Sequence, residues 1–119
     1  MNCGVLCVCE YLKLNGLDPE KIRSQLQKRV CSRGLSVQDI IEVMRDNGFD
    51  CEAWYDRRVC ENYPYIMYDA LYRHYYLVIS CDGTYVYMYD SRLGYFRVRR
   101  WFFRLFWRKY YVSVRNSVI

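Results

Sequence analysis

Hydrophobic residues recur at helical spacing in three segments of the first 48 residues. The first segment, roughly residues 4–14, ends at Asn15-Gly16, a pair that readily adopts the left-handed conformation found where helices stop. The third runs from Ser36, which has the spacing of a capping box with Asp39, to Asn47-Gly48. Helices are therefore predicted over both segments.

The second segment begins at Asp18-Pro19-Glu20, which supplies an N-cap, a first-turn proline and an acid that the helix dipole favours. Ile22, Leu26 and Val30 follow at four-residue spacing and give the helix one apolar face. This spacing predicts a second helix that extends to Val30.

After Gly48 the apolar positions alternate, as they do in β-strands. The strongest run extends from His74 to Cys81, and Asp82-Gly83 then predicts a hairpin turn before the returning strand Thr84–Tyr89. Weaker alternation predicts strands near 49–54, 63–68, 95–99 and 110–114, and residues 100–107 have helical spacing. Helices first and strands second indicate an α+β fold, with N-terminal helices packed on an antiparallel β-sheet in one domain over residues 1–119.

The composition is that of a domain with a substantial core, because 53% of the residues are hydrophobic and 26% are charged. This balance excludes a disordered chain, and no segment approaches the roughly 20 apolar residues that span a bilayer. No signal-peptide pattern opens the chain, since Glu10 and Lys13 come early. We expect a soluble domain in the cytoplasm.

The seven cysteines are odd in number and have no repeated spacing, which is unlike a disulfide framework. Six of them are predicted to be mostly reduced and buried, as small hydrophobic residues: Cys7, Cys9, Cys31, Cys51, Cys60 and Cys81. The spacing of Cys3, Cys7 and Cys9 beside a single histidine does not match a zinc motif, so no metal or other cofactor is expected.

Positive charge is concentrated at the C-terminal end of the chain. Residues 1–90 carry ten Lys/Arg and thirteen Asp/Glu, whereas residues 91–119 carry eight basic residues and no acidic one. Residues 97–109 combine six basic with five aromatic residues. The plainest interpretation is a core-packed helix with a solvated basic face, and the alternative is contact with an anionic membrane surface, at the inner face of the membrane. Nucleic-acid binding ranks lowest because no recognised motif accompanies the basic residues.

On that helix, Phe102, Leu105 and Phe106 are predicted to share the buried face, with Trp101 and Phe103 flanking it. A second stripe at four-residue spacing is basic: Arg100, Arg104 and Arg108.

Three residues have the chemistry of a thiol-dependent catalytic site. Cys3 lies where the first helix begins, and a helix N-terminus favours a thiolate. His74 opens the strongest strand and Asp90 follows the strand that returns from the turn, so a hairpin brings both to its open end. The structural alternatives are an inert thiol, a structural histidine and an aspartate that starts a turn. Gly4 allows another part of the chain to approach closely.

The ordered motifs resemble those of the C39 peptidases, papain-like enzymes that process bacteriocin leader peptides. Asn2-Cys3-Gly4-Val5-Leu6-Cys7 is similar to the family's Asp-Cys-Gly-x-x-Cys opening. His74–Val78 resembles its His-Tyr-x-Val-Val strand, and Tyr87–Gly94 resembles its Asp-Pro-x-x-Gly segment. Weaker similarities follow in the same order: Gly34–Gly48, Pro64–Ile66 and Phe102–Trp107.

The resemblance implies a papain-like cysteine protease, a hydrolase that cuts its peptide or protein substrate through an acyl-enzyme after small residues such as Gly-Gly or Gly-Ala. By the same resemblance, Cys3 would be the nucleophile, His74 the general base and acid, and Asp90 the residue that orients His74. An alternative is a degenerate domain of the same fold that binds a peptide or partner without cleaving it. A third is a basic membrane- or nucleic-acid-associated protein with inert cysteines.

Two positions depart from the family pattern. The glutamine that usually precedes the cysteine by about six residues and completes the oxyanion hole has no counterpart, because only Met1 and Asn2 precede Cys3. Asn2 and Gly4 are therefore the candidate oxyanion or substrate-binding residues, together with the backbone N–H of Cys3. Asp90-Ser91 replaces the family's Asp-Pro, which keeps the carboxylate and loosens the turn.

Overall fold

The structure is a computed structural model that describes residues 2–55, 63–69, 72–106 and 111–116. Its helices are α1 (Cys3–Leu14), α2 (Glu20–Gln27), α3 (Val37–Asp46) and α4 (Arg100–Phe106). Its strands are β1 (Cys51–Tyr55), β2 (Tyr65–Asp69), β3 (His74–Cys81), β4 (Tyr85–Asp90), β5 (Gly94–Arg99) and β6 (Tyr111–Asn116). None of the helices in these ranges is long and apolar enough to cross a membrane.

Side-chain caps fix where the N-terminal helices begin. The Asn2 carboxamide accepts a hydrogen bond from the Gly4 N–H at 2.7 Å, and Ser36 with Asp39 forms a reciprocal capping box at the start of α3. These contacts confirm the predicted starts of α1 and α3. The predicted N-cap role of Asp18 is wrong, because Pro19 holds the cap position of α2 without a side-chain cap, although Asp18 accepts the Glu20 N–H at 3.0 Å.

The prediction that α2 continues to Val30 is wrong, because the helix ends at Gln27. The Val30 N–H bonds back three residues to the Gln27 carbonyl, which tightens the last turn. The chain then reverses through a bridge between Cys31 and Gly34. This turn leaves Cys31 exposed, so its predicted burial is also wrong.

The strands form one antiparallel sheet in the order β1-β6-β2-β3-β4-β5. The predicted hairpin around Asp82-Gly83 is present as β3 and β4, with a register shift between Val78 and Ser80 that leaves Ile79 as an extra residue. The C-terminal strand β6 inserts between β1 and β2. The α+β prediction of N-terminal helices on an antiparallel sheet is confirmed.

The larger core lies between the N-terminal helices and one face of the sheet. Val5, Val8 and Leu12 of α1 are fully buried there against Ile66 and Leu77 of the sheet. Cys7, Cys9 and Cys51 are also buried in this cluster, as predicted. Cys81 is only partly buried, and Cys60 lies outside the described residues.

A second core lies on the opposite face of the sheet, where Phe103 of α4 is fully buried among Val78, Val86 and Met88. The predicted buried face of this helix is wrong, because Leu105 is 58% exposed. The helix follows β5 directly, and this connection turns Phe103 rather than Leu105 toward the sheet. The Phe106 side chain and Arg108 lie outside the part of the chain that is described.

Candidate active site

His74 and Asp90 are joined by a short hydrogen bond at one end of the sheet. The imidazole Nε2 lies 2.7 Å from Asp90 Oδ2. The register of β3 and β4 pairs Leu77 with Tyr89 and Val78 with Met88, which places Asp90 opposite Tyr76. His74 lies two residues from Tyr76 and so shares the face of Asp90, one diagonal step away. The pairing of these two strands thus brings the histidine and the carboxylate together.

The other carboxylate oxygen of Asp90 is held by the turn that follows β4. Oδ1 accepts the backbone N–H groups of Arg92 at 2.6 Å and Leu93 at 3.3 Å. Burial acts to raise the pKa of Asp90, but the hydrogen bonds from Arg92, His74 and Leu93 outweigh it and hold that pKa below its ordinary value. Asp90 is therefore an ionised acceptor at neutral pH. Its carboxylate therefore both starts the turn and accepts the hydrogen bond of the histidine.

The His74 ring is fixed on a second side by an aromatic neighbour. The Tyr76 ring meets it edge-on, with centroids 4.8 Å apart and planes at 77°. The His74 side chain is 15% exposed, so one part of the ring remains open to solvent. Because Nε2 faces the carboxylate, Nδ1 is the nitrogen left to exchange a proton with another group.

Cys3 is the first residue of α1 and is partly buried. Asn2 caps the helix by accepting the Gly4 N–H with its side-chain oxygen. Gly4 packs directly on Tyr75, the residue after His74, since a Cβ added at Gly4 would lie 3.0 Å from that ring. The close approach predicted at Gly4 is present, and it sets the start of α1 against the start of β3.

Cys7, one turn further along α1, confirms this packing and differs chemically from Cys3. Its thiol donates to the Tyr75 carbonyl at 3.4 Å. Burial raises the pKa of Cys7 far above its ordinary value, and the charges of Cys3 and Asp90 add to the effect. Cys7 is therefore a neutral structural thiol. Because the charges of Cys3 and Asp90 both act on Cys7, both residues lie near the start of α1, which packs on Tyr75.

The structure brings His74 and Asp90 into direct contact and Cys3 to the same end of the sheet. Within the described residues, no hydrogen bond joins the Cys3 sulfur to the His74 ring. Catalytic hydrogen bonds are commonly long before substrate binds and tighten in the complex. The structure thus places a thiol at the start of α1 and a hydrogen-bonded His–Asp pair on the sheet against which α1 packs.

The candidate oxyanion groups are not equally available. The Gly4 N–H is already bonded to the Asn2 side-chain oxygen. The Asn2 amide nitrogen lies next to Gly34, 3.4 Å from where a Cβ on that glycine would be. The Cys3 N–H makes no hydrogen bond with the described part of the chain. The Cys3 N–H and the Asn2 amide are thus the donors that can meet a substrate oxygen.

Sequence reasoning missed two residues around the site. Asp69 lies directly opposite His74 in the pairing of β2 with β3 and is 2% exposed. Tyr75 donates its hydroxyl to the Leu35 carbonyl at 2.6 Å, which fixes the ring that Gly4 packs on. The alternation of β2 could have placed Asp69 on the His74 face, but only if the register of the two strands had been known. Over the described ranges, no group of three or more His, Cys, Asp and Glu is arranged to hold a metal ion.

Helices on an antiparallel sheet, with a cysteine at a helix start and a His–Asp pair on the sheet, define a papain-like architecture. The model of the Peptidase C39 family matches residues 1–118, and the chain belongs to that family. No curated protein matches the sequence.

Solved structures of peptidase domains share the fold. A double glycine motif protease from an AMS/PCAT transporter, in complex with the leader peptide, has a TM-score of 0.77 and 16% identity, over 95% of this chain and 81% of that one. The peptidase domain of Streptococcus ComA, a bi-functional ABC transporter involved in a quorum sensing pathway, has a TM-score of 0.74 and 16% identity, over 96% and 89%. The Streptococcus mutans ComA peptidase domain has a TM-score of 0.62 at 15% identity, over 80% and 86%.

Proposed function

We propose that this chain is a cysteine peptidase in which Cys3 is the nucleophile, His74 the general base and acid, and Asp90 the residue that orients His74. Membership of the Peptidase C39 family supports a peptidase role. The observation that carries the assignment of residues is the 2.7 Å contact between His74 Nε2 and Asp90 Oδ2 at the end of the sheet where α1 begins. A histidine and an aspartate with unrelated structural roles would have no reason to lie within hydrogen-bond distance of each other.

The reaction follows from the positions of these groups. His74 Nδ1 takes the thiol proton, and the Cys3 sulfur attacks the peptide carbonyl carbon. The C–N bond then breaks, the departing amine takes the proton from His74, and the acyl group stays on Cys3 as a thioester. Water, deprotonated by His74, attacks the thioester and releases the acid together with the thiol. Asp90 stays ionised throughout, accepts the hydrogen bond from His74 Nε2 and stabilises the imidazolium.

Oxyanion stabilisation in this chain would come from the Cys3 N–H and the Asn2 amide. The Asn2 side-chain oxygen accepts the Gly4 N–H, which fixes the amide and leaves its two N–H groups as donors. Loss of one oxyanion donor typically costs about 10²–10³ in rate, so we expect a loss of this order when the Asn2 amide is removed.

The substrate that fits best is a peptide with small residues before the cut, such as Gly-Gly or Gly-Ala. One structural neighbour is described as a double glycine motif protease in complex with the leader peptide, which supports this substrate class and bacteriocin-type leader processing. In a cell, such a domain would work in the cytoplasm.

A set of peptides that vary only in the two residues before the cut tests the proposal. We expect cleavage after Gly-Gly and Gly-Ala, seen by mass spectrometry, and none with Cys3→Ala. Cys81→Ala is the matched control, because Cys81 is a free thiol at the opposite end of β3 from His74. Equal cleavage by Cys3→Ala and the unchanged chain would refute the assignment.

Alkylation by iodoacetamide tests the thiol separately from turnover. A Cys3–His74 ion pair predicts that Cys3 reacts at pH 6 faster than the exposed Cys31, and that His74→Ala removes the difference. Equal rates for both cysteines at pH 6, unchanged by His74→Ala, would contradict an activated thiol.

The second candidate is a domain that binds a leader-like peptide without cutting it. The engagement of the Gly4 N–H by Asn2 favours it, because that donor is not available to a substrate oxygen. Binding by isothermal titration calorimetry to the unchanged chain, with no cleavage product after long incubation, would select this alternative.

A further inference from the structure

A groove at the tip of the β3–β4 hairpin carries three arginines. It has a volume of about 690 Å³ and lies between the turn at Gly83-Thr84 and the start of α4. Arg99, Arg100 and Arg104 line it, and Trp101 and Leu105 form its apolar part. These residues belong to the basic C-terminal end of the chain, which the proposed peptidase reaction does not use. We call this surface the hairpin-tip groove.

The charge of the hairpin-tip groove is not neutralised. In the described ranges, no salt bridge involves Arg99, Arg100 or Arg104. Asp82, in the adjoining turn, is an acid whose carboxylate already accepts hydrogen bonds from the Thr84 and Tyr85 N–H groups and from the Tyr87 hydroxyl. Arg100 reaches only the Asp82 carbonyl, at 3.5 Å, and its Nε is buried without a hydrogen-bond partner. Three guanidinium groups thus share one concave surface without a bound counter-charge.

Two large apolar side chains project from the same surface. Trp101 is 61% exposed and Leu105 is 58% exposed, and they lie four residues apart on one side of α4. Phe103 points the other way, into the sheet, and anchors the helix. Trp101 and Leu105 are therefore exposed because α4 packs on the sheet through Phe103. Nothing in the described structure covers either residue.

We propose that the hairpin-tip groove binds the surface of an anionic phospholipid bilayer. Phosphate groups complement the three arginines, and the apolar side chains enter the interface between headgroups and acyl chains, where tryptophan is favoured. A single-stranded nucleic acid would account for the arginines and for Trp101 but offers no apolar surface for Leu105. The combination of three guanidinium groups that make no salt bridge within the described residues with an exposed Trp–Leu pair is what selects lipid.

The location of the groove leaves the candidate active site open. His74 begins β3 and Cys81 ends it beside the hairpin turn, so the two ends are separated by about 23 Å at roughly 3.3 Å per residue. A bilayer that contacts the hairpin tip therefore lies away from the His74–Asp90 pair. A failure of lipid binding would therefore leave the proposed peptidase reaction unaffected, and a failure of cleavage would leave lipid binding unaffected.

Flotation with lipid vesicles tests the proposal directly. We expect the chain to float with vesicles of phosphatidylcholine mixed with phosphatidylglycerol, to stay behind with pure phosphatidylcholine, and to be released by high salt. Replacing Arg99 and Arg104 together with glutamine should weaken partitioning about 30-fold, at about fivefold for each charge near the surface. Lys21→Gln with Lys28→Gln removes the same charge from exposed positions on α2 and at its C-cap and should change partitioning much less.

The apolar contribution has its own readout and control. Trp101→Phe should remove most of the blue shift in tryptophan emission on binding, and Leu105→Ser should weaken partitioning about tenfold. Leu17→Ser is the matched control, because Leu17 is 42% exposed at the end of the molecule where α1 leads into α2. Circular dichroism checks that each variant is folded.

Three results would overturn the proposal. The first is equal partitioning to neutral and anionic vesicles, and the second is anionic-vesicle binding that the Arg99 and Arg104 substitutions leave unchanged. The third is binding to single-stranded DNA with no binding to either vesicle, which would assign the groove to nucleic acid instead.

Discussion

Asp90 divides its two carboxylate oxygens between two tasks. Oδ1 accepts the N–H groups of Arg92 and Leu93, and Oδ2 meets His74 Nε2. An acceptor at Oδ2 requires the proton of neutral imidazole to sit on Nε2, which leaves Nδ1 free of a proton. Only that tautomer can take the proton of Cys3. In the proposed reaction, Asp90 therefore acts by holding His74 in the tautomer that carries its proton on Nε2.

Asp90→Asn tests this tautomer argument. The asparagine oxygen can still accept from Arg92 and Leu93, but its amide would donate to Nε2 and move the imidazole proton to Nδ1. We expect kcat for peptide cleavage to fall by about 10⁴, with little change in KM. Steady-state kinetics on a Gly-Gly peptide provide the measurement.

Asp82→Asn is the control for that substitution. Asp82 also accepts two backbone N–H groups in a turn, from Thr84 and Tyr85, but it lies at the far end of the same hairpin. Its replacement should leave kcat unchanged. Equal losses for Asp82→Asn and Asp90→Asn would mean that hairpin stability, rather than the imidazole tautomer, limits the reaction.

At the level of elements, the contact of α1 with β3 depends on the absence of a side chain at Gly4. A methyl group there would lie 3.0 Å from the Tyr75 ring and 3.0 Å from Asn2 Oδ1. The ring cannot swing aside, because Tyr75 is buried and its hydroxyl is bonded to the Leu35 carbonyl. The first turn of α1, with Cys3, would have to move away from the sheet.

Gly4→Ala should therefore destabilise the protein and slow catalysis together. Overpacking typically costs about 1–3 kcal/mol, and alanine returns up to about 1 kcal/mol of helix propensity, so we expect a net loss of about 1 kcal/mol. Urea unfolding and kcat are the measurements. Gly83→Ala is the control, since no atom lies within 4 Å of a Cβ there. A stabilised Gly4→Ala variant with normal kcat would contradict the proposed close packing.

The capping box at the start of α3 predicts a pH-dependent contribution to stability. Burial acts to raise the pKa of Asp39, but hydrogen bonds from the Ser36 hydroxyl and N–H and from Arg29 hold that pKa below its ordinary value. A carboxylate whose folded-state pKa is lowered stabilises the fold above its unfolded pKa of about 3.9, and the contribution is lost as the pH falls through the folded-state value.

Asp39→Asn should accordingly cost about 1 kcal/mol or less in the free energy of unfolding at neutral pH. The difference from the unchanged chain should shrink below about pH 4, where the carboxylate of the unchanged chain is protonated too. Urea unfolding at a series of pH values measures both. A difference that grows toward acid pH would contradict the role of the charge.

The sequence was sufficient for features that depend on neighbouring residues. Asp82-Gly83 predicted the hairpin, and counting outward from that turn placed His74 and Asp90 at its open end, where they meet. The extra residue at Ile79 shifts the register by one, and local alternation has no signal for it. Without this shift Asp90 would lie opposite Leu77, on the other face of the sheet, so the extra residue is what places Asp90 on the face of His74.

Features that depend on distant parts of the chain were not predictable in the same way. The insertion of β6 between β1 and β2 joins strands that lie more than 40 residues apart in the chain. The buried side of α4 was predicted wrongly because helical periodicity alone gives several apolar stripes in a segment rich in aromatic residues, and the connection from β5 selects Phe103.

At the scale of the whole molecule, the exposure of Cys7, Cys31 and Cys51 reflects how tightly the chain is packed around each thiol. Cys7 and Cys51 are fully buried on α1 and β1, while Cys31 is exposed in the turn before α3. Burial, only partly opposed by Arg45, raises the pKa of Cys51 to about 11, and burial raises the pKa of Cys7 still further. Both are therefore shielded from reagents and rarely ionised.

Iodoacetamide labelling of the native chain at pH 8, followed by peptide mapping, should thus modify Cys31 readily and leave Cys7 and Cys51 unmodified. Since alkylation requires the thiolate, a pKa near 11 alone lowers the rate of Cys51 by about 10²–10³ relative to an ordinary thiol, before its shielding is counted. In urea all three should react alike, because unfolding removes both causes. The urea concentration at which Cys7 and Cys51 become reactive should be the same, since one core joins α1 and β1. Labelling of Cys7 as fast as Cys31 without denaturant would be incompatible with α1 packed on the sheet. It would also contradict the proposed position of Cys3 near the His74–Asp90 pair, which depends on that packing.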